Sequence, residues 1–227
     1  MSNQITELEK EFELERLILF SDAVFAIAIT LLIIEIKFPD VRKGFSNAEL
    51  LTAFGPTIIG FLAFMLSFFF IGLLWSRHLN IFKYLRTYDN GVIFYNLLFL
   101  FFVVCFPFSA SGLEHLRPNF FLPIFIYTIN IGFVFLSQYL LCNYIFKSKK
   151  HLSKPGFEPE KKYILLKSKY LAFALCSVLS VVLILSFIFP EVKYIPIVGL
   201  YTIAIVLNVI RRRVRKYKPA AGEATLF

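Results

Sequence analysis

Charged residues are scarce in this chain, 17% of 227 positions against about 25% in an ordinary soluble domain. Signatures of catalysis and metal binding are missing as well: there is no HExxH, CxxC, GxSxG or P-loop pattern. The three cysteines, Cys105, Cys142 and Cys176, stand more than 30 residues apart inside apolar runs, which excludes closely spaced zinc or redox pairs and leaves them as small core residues. Only three histidines occur, His78, His115 and His151, and they fall at separate helix ends and loops, where an interfacial role outweighs a ligand role. These absences argue against an enzyme and against any resident metal or cofactor. No basic, cleavable leader precedes the first apolar run, because Glu7, Glu9, Glu11, Glu13 and Glu15 fill that stretch. The run is therefore expected to stay in the protein.

Apolar length is what the chain has in abundance. Hydrophobic residues make up 58% of positions against about 45–50% in soluble domains. Six runs meet or approach the roughly 20 residues that span hydrocarbon, at about 17–38, 50–75, 91–113, 120–146, 170–189 and 194–210. The expected fold is an all-α integral membrane protein, with one six-helix domain over residues 1–218 and a flexible C-terminal end over 219–227. The last run is the shortest and the least secure as a span. Between runs lie turn and breaker residues, among them Pro39, Gly44, Pro118, Pro155, Gly156 and Pro190, while Pro56 and Pro107 fall within runs.

A formal charge of +9 raises the question of nucleic acid, and its distribution answers it. With six spans, 19 of the 24 Lys and Arg residues fall on the side of the two termini and 5 on the other. That asymmetry is the positive-inside pattern of a multi-pass protein of the cell membrane with both termini in the cytoplasm. The cluster from Lys147 to Lys169 and the tail from Arg211 to Lys218 then face anionic lipid headgroups, with no role for nucleic acid.

Ionisable groups inside hydrocarbon need explaining, since each costs about 2.5–3.5 kcal/mol at a helix centre on insertion scales. The first helix holds the best set, with Arg16, Ser21 and Asp22 near its start and Glu35 near its outer end. At helical spacing Ile27, Thr30, Leu31 and Ile34 form one narrow stripe, and Ser21, Asp22 and Phe25 lie on the opposite half. If the stripe faces a central axis, Asp22 faces the subunit's own bundle. Its phase favours a structural partner, with Arg16, His78 or Asn96 as candidates, over an ion or proton ligand. Periodicity alone leaves lipid contact or helix packing as the simpler reading of the stripe.

Arg16, Phe20, Ser21 and Asp22 make the pattern Arg-x-x-x-Phe-Ser-Asp, followed by AVFAIAITLLIIEI. This resembles the signature first helix of the transmembrane protein 175 family of potassium channels. WSRH at 75–78 and NLLFLFFVVCFPF at 96–108 add to the likeness. The resemblance implies a channel without the re-entrant pore loop of ordinary potassium channels, and no TVGYG-like filter segment is present. It implies that first helices surround a symmetry axis. Ile27, Leu31 and Ile34 would then form the constriction and hydrophobic gate, and Thr30 a hydroxyl layer aiding selectivity. By analogy with two-repeat members, four copies would assemble as a homotetramer through which potassium permeates, and Trp75, His78 and Asn96 would hold the Arg16, Phe20, Ser21 and Asp22 end in register. Apart from the resemblance, Glu35 near the outer mouth has two readings, a group that concentrates cations and, the simpler one, a solvated carboxylate at a helix end.

The expected function is thus a potassium-preferring monovalent cation channel. The rival is a secondary transporter or proton pathway using Asp22 and Glu35, although the first-helix motif has no echo in the fourth run, where Ile129, Asn130 and Gly132 sit in a plain apolar stretch.

Overall fold

The computed structural model describes residues 2–34, 36–39, 44, 46–115, 122–189, 191–192 and 195–217. Six α-helices account for most of them: α1 (Ser2–Ile34), α2 (Asn47–Phe82), α3 (Asn90–Ser111), α4 (Leu122–Asn143), α5 (Glu158–Ile188) and α6 (Ile195–Arg215). Short 3-10 turns at Gly112–His115 and Lys150–Leu152 and a π turn at Tyr144–Ser148 complete the regular structure. Five helices, α1 to α5, are long and apolar enough to cross a bilayer, α4 counting with its π turn.

Three helices outrun the apolar segments that announce them. α1 begins at Ser2 rather than near Leu17, α2 continues to Phe82 past Trp75, and α5 begins at Glu158 rather than near Tyr170. Hydropathy marks only the part of a helix that lipid requires to be apolar, whereas Glu, Lys, Arg and Leu all continue a helix well. Chain breakers set the ends. Gly156, at φ 89°, turns the backbone just before α5, and Pro159 occupies its first turn, where no backbone donor is missed. α2 opens on a capping box in which the Ser46 amide and hydroxyl donate to Glu49 Oε2 at 2.8 Å and the Glu49 amide returns to Ser46 Oγ at 3.4 Å. Pro56 and Pro107 sit inside α2 and α3, which run on through them.

The chain divides into two compact units. One comprises Arg16–Leu79 and Leu100–Ile131. Its core joins Phe25, Ala28 and Leu32 of α1, Ile71 and Leu74 of α2, and Val103 and Phe106 of α3, all essentially inaccessible. The Phe106 ring lies 5.3 Å from that of Phe70 and 5.9 Å from that of Tyr127. Lipid is as apolar as these side chains, so close packing and interhelical hydrogen bonds hold such a bundle together, the bonds contributing about 0.6–2 kcal/mol each. Among the described residues Ser67 Oγ pairs with Tyr127 Oη at 3.0 Å, and Asn130 Nδ2 donates to Ser109 Oγ at 3.3 Å.

The other unit comprises Met1–Glu15, Asn80–Phe99 and Gly132–Phe227. In it the loop after α2 is tied to the loop before α5. Leu85 and Ser153 form an isolated antiparallel bridge, the Arg86 amide donates to the Leu152 carbonyl at 2.8 Å, and the Lys154 amide to the Tyr84 carbonyl at 2.9 Å. Asp89 stands at the start of α3, where Oδ1 accepts the Val92 amide at 3.0 Å and Oδ2 accepts the Tyr144 hydroxyl at 2.9 Å. Burial pushes the Asp89 carboxyl up, but the donors from Val92, Tyr144 and Gly91, with Lys149 nearby, outweigh it and leave its pKa below the usual aspartate value. Tyr144 packs on Tyr95, with ring centroids 5.1 Å apart, and against Gly91, where any Cβ would run into the phenol.

Gly91→Ala is therefore expected to cost about 1–3 kcal/mol through overpacking, read as a lower melting temperature in detergent. Combined with Tyr144→Ala, the loss should be smaller than the sum of the two single losses; strict additivity would count against the close approach. Because the Asp89 pKa is lowered on folding, its contribution is complete above the ordinary aspartate range and vanishes as pH falls through the lowered value. Asp89→Asn should accordingly flatten the acid limb of a stability-against-pH curve relative to the parent.

Candidate functional site: two faces of the first helix

The motif and the aliphatic stripe both belong to the stretch of α1 within the Arg16–Leu79 unit, and helical phase separates Ser21 and Asp22 from the stripe, whereas Arg16 and Phe20 fall on the stripe's side. Ser21, Phe25, Ala28 and Leu32 recur at i, i+4, i+7 and i+11 and make the buried face. Ser21 donates to the Leu17 carbonyl at 2.9 Å, a local bond that a serine on a helix makes without leaving its rotamer range. Phe25 meets the fully buried His78 of α2, ring centroids 5.5 Å apart and tilted by 59°.

Asp22 flanks this face. Its Oδ1 accepts the Trp75 indole N–H at 2.8 Å, across from α2. Trp75 follows Leu74 at the point where α2 continues toward His78, so one turn of α2 supplies both the indole for Asp22 and the imidazole for Phe25. An indole has a single donor and no acceptor, which makes it a fitting partner for a carboxylate at the edge of a span. Among the partners named for Asp22 from phase alone, Arg16 is exposed, His78 packs on Phe25, and Asn96 is fully buried in the other unit. Phe20 of the motif is half-exposed. Its phase sets it a quarter-turn and more from the centre of the buried face.

The stripe lies on the far side. Ile27 is 56%, Leu31 39% and Ile34 67% accessible in the single chain, and Thr30 is exposed between them. Leu31, nearest the buried face in phase, is the least accessible of the three. Thr30 Oγ1 donates back to the helix, at 3.0 Å from the carbonyls of both Ala26 and Ile27. Glu35 lies outside the described residues. No group of three or more His, Cys, Asp or Glu able to hold a metal occurs among the described residues.

Three pairings are absent from the sequence-based reading. Ser67, Ser109, Tyr127 and Asn130 pair between helices inside the bundle, and the only signal was the presence of polar residues in apolar runs. Phe25 was placed on the correct half of α1, but nothing in the linear sequence linked it to His78.

Comparison with known proteins shows what the chain is similar to. The family described as endosomal/lysosomal potassium channel TMEM175 matches residues 16–107, the segment that contains the motif, α2 and most of α3. A potassium channel of Streptomyces collinus is 41% identical over 101 residues, which are 44% of this chain and 48% of that protein. The chain thus spans about half the length of that relative. A potassium channel of a Chryseobacterium species is 29% identical over 203 residues, 88% of this chain and 95% of its own. Among solved structures, the crystal structure of a lysosomal potassium-selective channel TMEM175 homolog from Chamaesiphon minutus superposes with a TM-score of 0.67 at 25% identity, covering 89% of this chain and 98% of that one.

Trp75→Phe keeps the ring and removes the donor, leaving the Asp22 carboxylate short of a partner. The expected loss is about 1.5–3 kcal/mol, the usual range for a hydrogen bond to a charged group. In a double-mutant cycle Asp22→Ala and Trp75→Phe should be strongly non-additive in melting temperature, whereas independent effects would show that the bond contributes nothing.

Proposed function

With residues 16–107 matching the family described as endosomal/lysosomal potassium channel TMEM175, we propose that this chain belongs to that family and is the subunit of a potassium-preferring monovalent cation channel, in which α1 lines the pore. The observation that carries the reading is the division of α1. Asp22 and Phe25 are engaged with α2, and the aliphatic stripe, with a hydroxyl among its side chains, is left open by the chain itself. The matched family is described as a channel, so this reading contains no enzymatic step.

In this reading four copies surround an axis, and Ile27, Leu31 and Ile34 form stacked aliphatic rings. A narrow apolar ring sheds water and blocks ions; dilation rewets it and lets partly hydrated cations pass. Thr30 adds a layer of oxygens between the rings, and Glu35 gathers cations at the outer mouth. Potassium is the permeating species rather than a bound cofactor. α6 makes the sixth crossing, no re-entrant loop takes part, and both termini and the basic loops lie on the cytoplasmic side of the cell membrane. Asp22 serves as a positioning residue: the Trp75 bond fixes the rotation of α1 and so the direction in which the stripe points. A proton-coupled transporter would instead require Asp22 to exchange its partner, against the bond it makes here.

Reconstitution in liposomes separates these readings. Ile27→Ala, Leu31→Ala and Ile34→Ala are expected to raise leak conductance several-fold or shift gating, since each ring loses the bulk that keeps water out. Thr30→Ala should move the reversal potential in asymmetric potassium and sodium toward loss of potassium preference. Conductance indifferent to all three aliphatic changes would place the stripe against lipid, and flux that saturates with strict proton coupling would favour the transporter.

A further inference from the structure

α5 is too long for its membrane task. Its 31 residues span about 46 Å at 1.5 Å per residue, against about 30 Å of hydrocarbon, so roughly its first ten residues stand beyond the apolar core. Three basic segments meet around that extension. The first is the stretch before α5, with Lys147, Lys149, Lys150 and Lys154, all exposed. Its backbone is held by the Leu85–Ser153 bridge and by the Arg86 and Lys154 amides, so these lysines stand on a fixed platform rather than a loose loop. The second is α5 itself, with Lys162 and Lys169 exposed. The third is the end of α6, with Arg212, Arg213, Arg215 and Lys216 exposed, drawn to α5 by the Lys162 ammonium 5.8 Å from the Tyr217 ring centroid.

Not every lysine here is part of the surface. Lys161 is 3% exposed, and its ammonium is spent on Glu158 Oε1 at 3.0 Å and on the Lys154 carbonyl. It is a buried tie between α5 and the platform. The acidic groups do not cancel the rest: Glu158 is engaged by Lys161 and Asp89 by Tyr144, and although Glu160 of α5 is partly exposed and Glu11, Glu13 and Glu15 of α1 in the same unit are exposed, the basic groups outnumber them.

We propose that these three segments form one docking surface for the phosphate headgroups of an anionic membrane leaflet. Adjacency to apolar surface points to lipid rather than to a soluble polyanion. Tyr170 and Phe173 follow Lys169 on α5 and are exposed, as are Ile205 and Val209 before Arg212 on α6. The cations thus sit within a turn or two of the helix stretches that face acyl chains, at headgroup depth, and the aromatic rings lie at the boundary where such rings are favoured. The inference rests on the membrane placement proposed above and not on ion permeation.

The test counts lipid rather than current. Full-length protein is purified in neutral detergent, offered equal parts of phosphatidylglycerol and phosphatidylcholine, and the retained lipid is measured by native mass spectrometry. Wild type should retain phosphatidylglycerol with roughly tenfold preference, falling as salt is raised. Replacing Lys147, Lys149, Lys150 and Lys154 by Gln, or separately Arg212, Arg213, Arg215 and Lys216 by Gln, should remove most of that preference at unchanged melting temperature. Lys161→Gln should do the reverse, lowering the melting temperature and sparing the preference. Equal retention of the two lipids by wild type, or a preference that neither set of substitutions reduces, overturns the proposal. So does its loss on adding millimolar inorganic phosphate, which would assign the surface to a soluble anion. Since conductance enters none of these readouts, a protein that binds lipid as expected but passes no cations would refute the channel reading alone.

Discussion

Hydrocarbon supplies no hydrogen-bond partners, so every polar side chain placed in a span has to find its partner within the protein. The Asp22–Trp75 bond is where that constraint bears hardest on this chain. A carboxylate near the membrane edge of α1 fixes one side of the helix against α2, and Phe25 meeting His78 one turn further on leaves little freedom to rotate. With that side committed, the remaining side chains of α1 have their directions assigned. Ile27, Thr30, Leu31 and Ile34 stand where the bundle does not cover them because Ser21, Phe25, Ala28 and Leu32 stand where it does.

The same constraint relaxes outside the bilayer, and the structure changes character there. Helices continue past their apolar segments on charged residues, and loops are joined by backbone bonds and ionic ties rather than by packed apolar surface. Lys161 illustrates the difference. Buried in a span it would be very costly, but at the foot of α5 it reaches one carboxylate and one carbonyl and ties two segments together.

Much of this was legible from residues alone, for reasons that differ by level. The five long apolar helices follow from run length, because lipid imposes a minimum length that few other environments require. Their ends beyond the membrane did not follow: the glutamates before Leu17 and the lysines before Tyr170 are polar, and polarity does not distinguish a solvated helix from a loop. The two-sidedness of α1 was legible because a fixed angular step converts spacing into direction. Helical phase alone did not single out the α2 residue that meets Asp22: the resemblance put both Trp75 and His78 at that end, and the choice of Trp75 depends on the relative rotation of two helices, which no local pattern encodes. Asp89, Tyr144 and Gly91 form a lock of the same hidden kind, two neighbours and one residue more than fifty positions away.

Thr30 shows how little chemistry the open face of α1 contains, and what that little can do. Its hydroxyl proton is turned inward, shared between two carbonyls of its own helix, so what the oxygen offers outward is lone pairs alone. On the proposed pore reading, an ion passing that face would meet the negative end of a dipole and no hydroxyl donor from Thr30. A chloride ion would find nothing there to replace the water it sheds, whereas a cation would find an oxygen resembling that water. In that reading, discrimination by sign of charge needs no ionised group on this face, where within hydrocarbon a fixed carboxylate would be expensive to hold.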